Sequence, residues 1–291
     1  TRSFLVYFQN AQTGCLSLTF GRIIHKCLKV RDFCVYMSTI QTEEQLNQGE
    51  KAESENLLPE NVSAEDLAML QEMMRAGLMY GHKKSKTNPK FRQYIFTTRN
   101  GIEILDLTNT MQALDHAAAF LKEKIKEKAL VLVVATQPGA RDAVLKFAKE
   151  FGFSSITERW IGGLLTNFKV ISKRIEYFKN LQADLTAGRL DKYTKKERVM
   201  MNRDIERMKK MFTGLENMER VPDVLFVIDG SIKNHKTALH EAHRLKIKTI
   251  GVMDSDDDPD SVDYVIPAND HAKMSIEWII NKVARGIATS D

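Results

Sequence analysis

Glu158-Arg159-Trp160-Ile161-Gly162-Gly163-Leu164-Leu165-Thr166-Asn167 divides this sequence into two kinds of pattern. An arginine and a tryptophan stand side by side in it, and both can stack on planar groups. The two glycines that follow allow a sharp turn or a close approach of another backbone. Thr166 or Asn167 can then cap the next helix. Because strand-like apolar runs precede this stretch and a charged helical pattern follows it, we expect an elbow between an α/β core and a helical hairpin.

Continuous apolar runs on both sides of the elbow predict strands that are buried on both faces of a parallel sheet. Helical patterns alternate with these runs. Such alternation predicts right-handed crossovers and a doubly wound sheet. The predicted strands are 130–135, 154–157, 224–229, 249–254 and 264–266, and the helices between and after them are 140–151, 234–245 and 272–287.

Residues 167–218 have helical periodicity throughout and two narrow apolar stripes. Narrow stripes with charge elsewhere predict an antiparallel coiled-coil hairpin. The first stripe contains Ile171, Ile175, Phe178 and Leu185, and the second contains Met201, Ile205, Met208, Phe212 and Leu215. The predicted domains are therefore an N-terminal extension at 1–62, an α/β domain at 63–166 and 219–291, and the hairpin at 167–218.

The segment between Gly81 and Tyr94 concentrates positive charge, with five basic residues in the ten positions from Lys83 to Arg92. Phe91 and Tyr94 are interleaved with them. Lysine heads contact phosphates and aromatic faces stack on exposed bases, so this basic loop is a candidate RNA contact. A solvated loop is the alternative, and it explains the lysines better than the aromatics. A hairpin is predicted next, across Arg99-Asn100-Gly101, because Asn-Gly is a strong turn signal.

Composition supports a folded, mildly basic protein. The chain has 291 residues, 43 Lys and Arg against 38 Asp and Glu, and 43% hydrophobic residues. All three cysteines lie in residues 1–36, so a cysteine-based zinc site in the folded body is not expected, and a reducing compartment fits. Three interpretations of residues 1–36 remain open: a segment that is not native, with Met37 as the start, an organellar transit peptide, or an additional helix. Residues 38–63 are predicted to be an acidic, solvated tail.

Ligands of such sheets bind beyond the carboxyl ends of the strands, so any catalytic residues are expected there. Asp254, Asp256 and Asp258 form the most enzyme-like group, since clustered carboxylates bind hard cations. A magnesium-dependent phosphotransferase is therefore the alternative function. No accompanying phosphate-loop or nucleophile motif is present in the sequence. His240 and His243 lie three residues apart, but no third ligand accompanies them.

From about residue 63 to residue 287 the sequence resembles the small-subunit ribosomal protein S2 family of bacterial type. The matching motifs follow one another in one order along the chain. They are Gly81-His82, Asn88-Pro89-Lys90, Tyr94-Ile95-Phe96, Arg99-Asn100-Gly101-Ile102, Arg159 to Asn167, Thr194-Lys195-Lys196-Glu197, Phe226-Val227-Ile228-Asp229, Glu241-Ala242, Asp258-Pro259-Asp260 and Ile266-Pro267-Ala268-Asn269-Asp270.

The resemblance implies a flavodoxin-like three-layer α/β sandwich with a parallel sheet and an inserted antiparallel coiled-coil helical hairpin. It implies a structural constituent of the small ribosomal subunit that acts in translation, with no enzymatic activity, no cofactor, no small-molecule substrate and no membrane. The expected partners are small-subunit ribosomal RNA, neighbouring ribosomal proteins and the messenger-binding ribosomal protein S1. The expected location is on cytoplasmic ribosomes, or on organellar ribosomes if residues 1–36 are a transit peptide.

Candidate site residues follow from the basic loop, the hairpin tip, the elbow and the first hairpin helix. Trp160 is expected either to stack on RNA or to fill the junction between core and hairpin. No catalytic residue or metal ligand is predicted. The candidate RNA-binding residues are Lys83, Lys84, Lys86, Lys90, Arg92, Arg99, Arg159, Trp160, Lys173 and Arg174.

The sequence differs from the family pattern at three places. Gln137-Pro138 stands where the family usually has two basic residues, and Thr87 stands where it usually has tryptophan. Asp256-Asp257 replaces a common Asn-Cys, which makes that loop more acidic. RNA contact is therefore not expected at 137–138 or at the acidic loop.

Overall fold

The computed structural model describes residues 64–189 and 194–288. Predictions for residues 1–62 and for the tip at 190–193 lie outside the described residues. The helices are α1 (Ala64–Ala76), α2 (Leu107–Lys126), α3 (Pro138–Phe151), α4 (Phe168–Thr186), α5 (Lys195–Phe212), α6 (Lys233–Leu245) and α7 (Lys273–Ala288). The strands are β1 (Tyr80–Lys83), β2 (Ile95–Arg99), β3 (Ile102–Leu105), β4 (Val131–Val134), β5 (Ser154–Ile156), β6 (Val224–Ile228), β7 (Lys248–Met253) and β8 (Tyr264–Pro267). Short 3-10 helices cover Lys84–Lys86, Pro89–Tyr94 and Pro259–Ser261.

The main sheet has five parallel strands in the order β5-β4-β6-β7-β8. Counted within this sheet the order is 2-1-3-4-5, which is that of flavodoxin-like folds. All five residues of the central strand β6 are buried. This explains why its sequence is continuously apolar, and the predicted parallel sheet is confirmed.

Helices cover both faces of this sheet. On one face α7 contacts α1, α2 and α3, and the Phe147 ring of α3 lies 6.4 Å from that of Phe226 on β6. On the other face Leu132 and Leu225 share an apolar cluster with Leu239 of α6. The same cluster continues into the elbow, the N-terminal half of α4 and the C-terminal half of α5. The core of the sheet and the base of the hairpin are therefore one packed unit.

A second, antiparallel sheet has the order β1-β3-β2. The predicted turn between β2 and β3 is present, with φ of 52° at Asn100 and 76° at Gly101. Both values are in the left-handed region that Asn-Gly favours. Strand β1 was not predicted, because the sequence from Gly81 onward was interpreted as a loop. Tyr80 pairs with Ile104, so a strand too short to show alternation is fixed by its partner β3.

Helices α4 and α5 lie against each other, with the ring centroids of Phe178 and Phe212 5.9 Å apart. A capping box starts α5: the Glu197 carboxylate accepts hydrogen bonds from the Thr194 backbone and hydroxyl at 3.0 and 2.9 Å. Two paired helices are thus present where the hairpin was predicted, and coiled-coil packing between them stays a prediction. Among the helices that the structure describes, none is long and apolar enough to cross a membrane.

Candidate nucleic-acid interface

The basic loop, residues 83–94, is a folded element. Asn88 precedes the Pro89–Tyr94 helix and its side chain accepts a hydrogen bond from the Lys90 backbone at 3.1 Å. Phe91 is fully buried and belongs to the apolar cluster under α6. The interpretation of Phe91 as a base-stacking residue is therefore wrong, since its ring fixes the loop to the core. Lys83, Lys84, Lys86 and Arg92 remain exposed, and none of them forms an ion pair within the described ranges.

The acidic loop, residues 254–260, is hydrogen-bonded to β1 and to the basic loop. His82 Nδ1 lies 2.7 Å from Asp254 Oδ2, and the His82 backbone donates to Ser255 Oγ at 2.8 Å. The Asn88 backbone donates to the Ser255 carbonyl at 2.8 Å. A Cβ at Gly81 would lie 2.9 Å from Ser255 Oγ, so only glycine allows this approach. The Gly81-His82 motif therefore joins β1 to the end of β7.

Lys90 is a second link between the two loops. Its Nζ lies 3.2 Å from Asp258 Oδ1 and 2.7 Å from Asp260 Oδ2. Hydrogen bonds to Asp260 and then Asp258 raise the pKa of Lys90 above its ordinary value. The structure thus corrects the expected role of this candidate: in the free protein its charge is offset by two carboxylates, so it positions the loop.

The acidic loop does not assemble the three carboxylates that the alternative function requires. Asp254 and Asp256 face His82, with Nδ1 2.7 and 3.5 Å from their oxygens, whereas Asp258 faces Lys90. Two groups of three side chains within the described residues have ligand atoms within 4.8 Å of one another and could hold a cation: His82, Asp254 and Asp256, and Asp229, Asp270 and His271.

Burial dominates the electrostatics of this strand-end region. It raises the pKa of Asp254, raises that of Asp257 to about 7, and raises that of Asp270 well above its ordinary value. The hydrogen bond from His271 to Asp270 raises the pKa of His271 to about 9. Carboxyls with such raised pKa values disfavour their charged form, so the region carries less negative charge than its composition indicates.

The elbow is fixed by one carboxylate on α6. Glu241 accepts hydrogen bonds from Trp160 Nε1 at 3.2 Å, from the Gly163 backbone at 2.8 Å and from the Leu165 backbone at 3.1 Å. Thr166 adds two longer bonds, each of 3.4 Å. Gly163 has φ of 84°, so the turn needs a residue that tolerates the left-handed region.

Trp160 is 4% exposed, so it fills the junction between core and hairpin, and stacking on RNA is wrong for this residue. Glu241 was quoted only as part of a family motif, and sequence reasoning missed its role. A signal was available, because Glu241 lies between Ala238 and Ala242 on the apolar face of α6. A carboxylate on a buried face needs hydrogen-bond donors, and the glycine-rich elbow supplies them.

The remaining candidates are exposed cations on different elements. Arg99 ends β2 at the hairpin tip. Arg159 is exposed in the elbow, beside Glu158, which pairs with Arg141 at 3.0 Å. Lys173 and Arg174 are exposed on α4. The structure connects the basic loop, the elbow and α4 through one apolar cluster that contains Phe91, Trp160, Leu164, Ile171 and Phe178.

Comparison with known proteins agrees with this architecture. Residues 73–290 match the family model described as Ribosomal protein S2. The small ribosomal subunit protein uS2 of Petrotoga mobilis is 41% identical over 218 residues, which cover 75% of this chain and 75% of that protein. The uS2 proteins of Dictyoglomus turgidum and Thermus thermophilus are 39% and 38% identical over 75% and 73% of this chain, and over 88% and 82% of their own lengths. This chain belongs to the ribosomal protein S2 family.

Proposed function

We propose that this chain is a structural constituent of the small ribosomal subunit and docks on small-subunit ribosomal RNA through its basic surface. As a member of the ribosomal protein S2 family it is a structural protein and not an enzyme. The observation that carries the RNA-binding proposal is the basic loop, whose exposed lysines are attached to the protein core by Phe91. A pre-ordered loop loses less conformational entropy on binding than a flexible one, so its cations bind phosphate more tightly.

Each exposed cation contributes mainly by releasing counterions from RNA. Lys83, Lys84, Lys86 and Arg92 form the central contact, and Arg99, Arg159, Lys173 and Arg174 extend it along the second sheet, the elbow and α4. Lys90 supports the loop through Asp258 and Asp260 and contributes less to the salt dependence. Phosphate contacts position the protein without reading sequence, so we expect recognition of folded RNA by shape.

The hairpin would pack as an antiparallel coiled coil. Phe178 lies beside Phe212, and Leu185 and Ile205 line one groove nearer the tip, so positions advance along α4 as they recede along α5. Such an arm suits contacts across an assembly. The partners proposed for it are neighbouring small-subunit proteins, including ribosomal protein S1, and these rest on the family resemblance. A cytoplasmic ribosome and an organellar one both remain compatible with this proposal.

Binding of the full chain to small-subunit ribosomal RNA at several salt concentrations tests the proposal. Lys86→Ala and Arg92→Ala should each weaken binding and reduce the slope of log affinity against log salt by about 0.7–0.9. Lys248→Ala is the matched control, because this exposed lysine pairs with Asp263 at 2.9 Å at the opposite end of β7. Wild-type protein that shows no salt-dependent binding, or loop variants that behave as Lys248→Ala does, would contradict the proposal.

A further inference from the structure

Helix α4 presents an outward stripe that the apolar core does not explain. We call Val170, Lys173, Arg174 and Tyr177 the α4 stripe. Spacings of three and four residues place them on one side of the helix. Val170 is 47% exposed and Tyr177 is 59% exposed, whereas the neighbouring Phe178 is fully buried. The stripe thus faces away from α5 and combines an aromatic ring with two cations.

Among the described residues, the cations of the α4 stripe have no ion-pair partner and its tyrosine ring has no aromatic or cationic partner. Within residues 64–189 and 194–288, Lys173 and Arg174 form no ion pair. No aromatic ring or cation packs on the Tyr177 ring within the same ranges. Asp184 lies further along this side, but its carboxylate pairs with Arg189 at 3.0 Å. The largely exposed Tyr177 ring and both cationic heads are therefore accessible.

The surroundings of the stripe select an anionic partner. Residues 168–189 and 194–212 carry twelve Lys or Arg against five Asp or Glu. A basic surface of this kind concentrates polyanions around it. Two cations separate the apolar members, so there is no continuous apolar patch of the sort that a protein partner covers. An aromatic ring beside cations is instead the arrangement that binds an unpaired base and its flanking phosphates.

We propose that Tyr177 stacks on an unpaired base of small-subunit ribosomal RNA while Lys173 and Arg174 contact the adjacent phosphates. This inference rests on the proposed function, and it adds Tyr177 to the RNA-binding candidates Lys173 and Arg174. Trp160, the aromatic expected to stack, is buried against Glu241. Tyr177 supplies an open ring on the helix that this elbow begins.

The test compares full-length variants in binding to small-subunit ribosomal RNA across a salt series. Tyr177→Ala should weaken binding about 5- to 100-fold at every salt concentration, with an unchanged salt slope, because stacking releases no counterions. Tyr177→Phe should bind within about twofold of wild type. Lys173→Ala and Arg174→Ala should each lower the slope by about 0.7–0.9. Met200→Ala, at a 56% exposed position on α5, is the control and should bind as wild type does.

Two results would overturn the inference while leaving the proposed function intact: wild-type binding by Tyr177→Ala, or equal losses from Tyr177→Ala and Tyr177→Phe. If Tyr177→Ala binds RNA normally but co-sediments less with small subunits, the ring contacts a protein neighbour instead. Failure of the wild-type chain to bind RNA would instead refute the proposed function. Equal unfolding midpoints of the variants exclude misfolding, since the side chain is largely exposed.

Discussion

Removal of the Glu241 carboxylate should destabilise the protein more than any exposed substitution on α6. In Glu241→Ala, Trp160 Nε1 and the backbones of Gly163 and Leu165 lose the acceptor that lies 2.8–3.2 Å away in the native protein. Glu241 itself is 7% exposed, so water replaces it poorly. Each buried donor left without a partner costs about 1–3 kcal/mol, and three donors that act as one group suggest a loss of about 3–6 kcal/mol. A loss of that size approaches the whole stability of many domains.

The conservative variant separates hydrogen bonding from packing. Glu241→Gln retains the side-chain volume and one carbonyl oxygen. Its NH2 group, however, faces N–H donors and cannot accept hydrogen bonds from them. We therefore expect a loss of about 1–3 kcal/mol, smaller than that of Glu241→Ala.

Urea unfolding, followed by far-ultraviolet circular dichroism, measures these differences if the slope against denaturant is unchanged. His240→Ala is the matched control, because this exposed residue is the direct neighbour of Glu241 on α6, and its loss should be within about 0.5 kcal/mol. A loss below about 1 kcal/mol for Glu241→Ala would refute the reasoning, since the elbow would then be held by packing alone.

Three further predictions concern other parts of the chain. Gly214→Ala should destabilise by at least about 2 kcal/mol in urea unfolding, because Gly214 has φ of 90° and an added Cβ would collide with the Ser155 carbonyl; an unchanged midpoint would contradict this. Burial lowers the pKa of His235 below 6.5, so the unfolded chain takes up the proton first and stability should fall below pH 6.5 by up to about 1.4 kcal/mol per pH unit. Its Nε2 accepts a hydrogen bond from the Thr136 backbone at 3.2 Å. When unfolding is compared at pH 7.5 and 5.5, His235→Gln should therefore lose less stability than the wild type; equal losses of stability in the two proteins would refute this prediction. Lys90→Ala should change the salt slope of RNA binding less than alanine substitution of the other loop lysines, and an equal change would mean that its carboxylate partners release it to RNA.

The larger elements were predictable because their local patterns and their final environments agree. Strands β4 and β6 are apolar along their whole length and β7 is apolar from Ile250 onward, and the structure buries these residues on both faces of the sheet. The Asn100-Gly101 turn was predictable for a similar reason, since the two residues that tolerate positive φ stand where the chain must adopt it. Strand β1 was missed because its four residues carry no periodic signal and depend on pairing with β3.

The candidate site was predictable in charge but not in contacts. Clustered lysines marked the basic loop, and they are exposed. Phe91 was interpreted as a stacking residue, and stacking was one of two roles predicted for Trp160, because an aromatic beside cations has the same sequence pattern whether its ring faces solvent or the core. The pairs of Lys90 with Asp258 and Asp260 join residues 168 and 170 positions apart, and no local signal reports such contacts. The acidity of that loop suggested three metal ligands, but Asp258 faces Lys90 and only two of the carboxylates lie beside His82.

The shared core beneath the basic loop and α4 has a consequence for assembly kinetics. Since Phe91 and Phe178 are packed into one cluster, the two cationic surfaces are held at a fixed separation. Once either surface has reached its target, the other searches a small volume at high effective concentration. Mutations that loosen this core should therefore slow the second contact and shorten the residence time of the protein, even when every cation is retained.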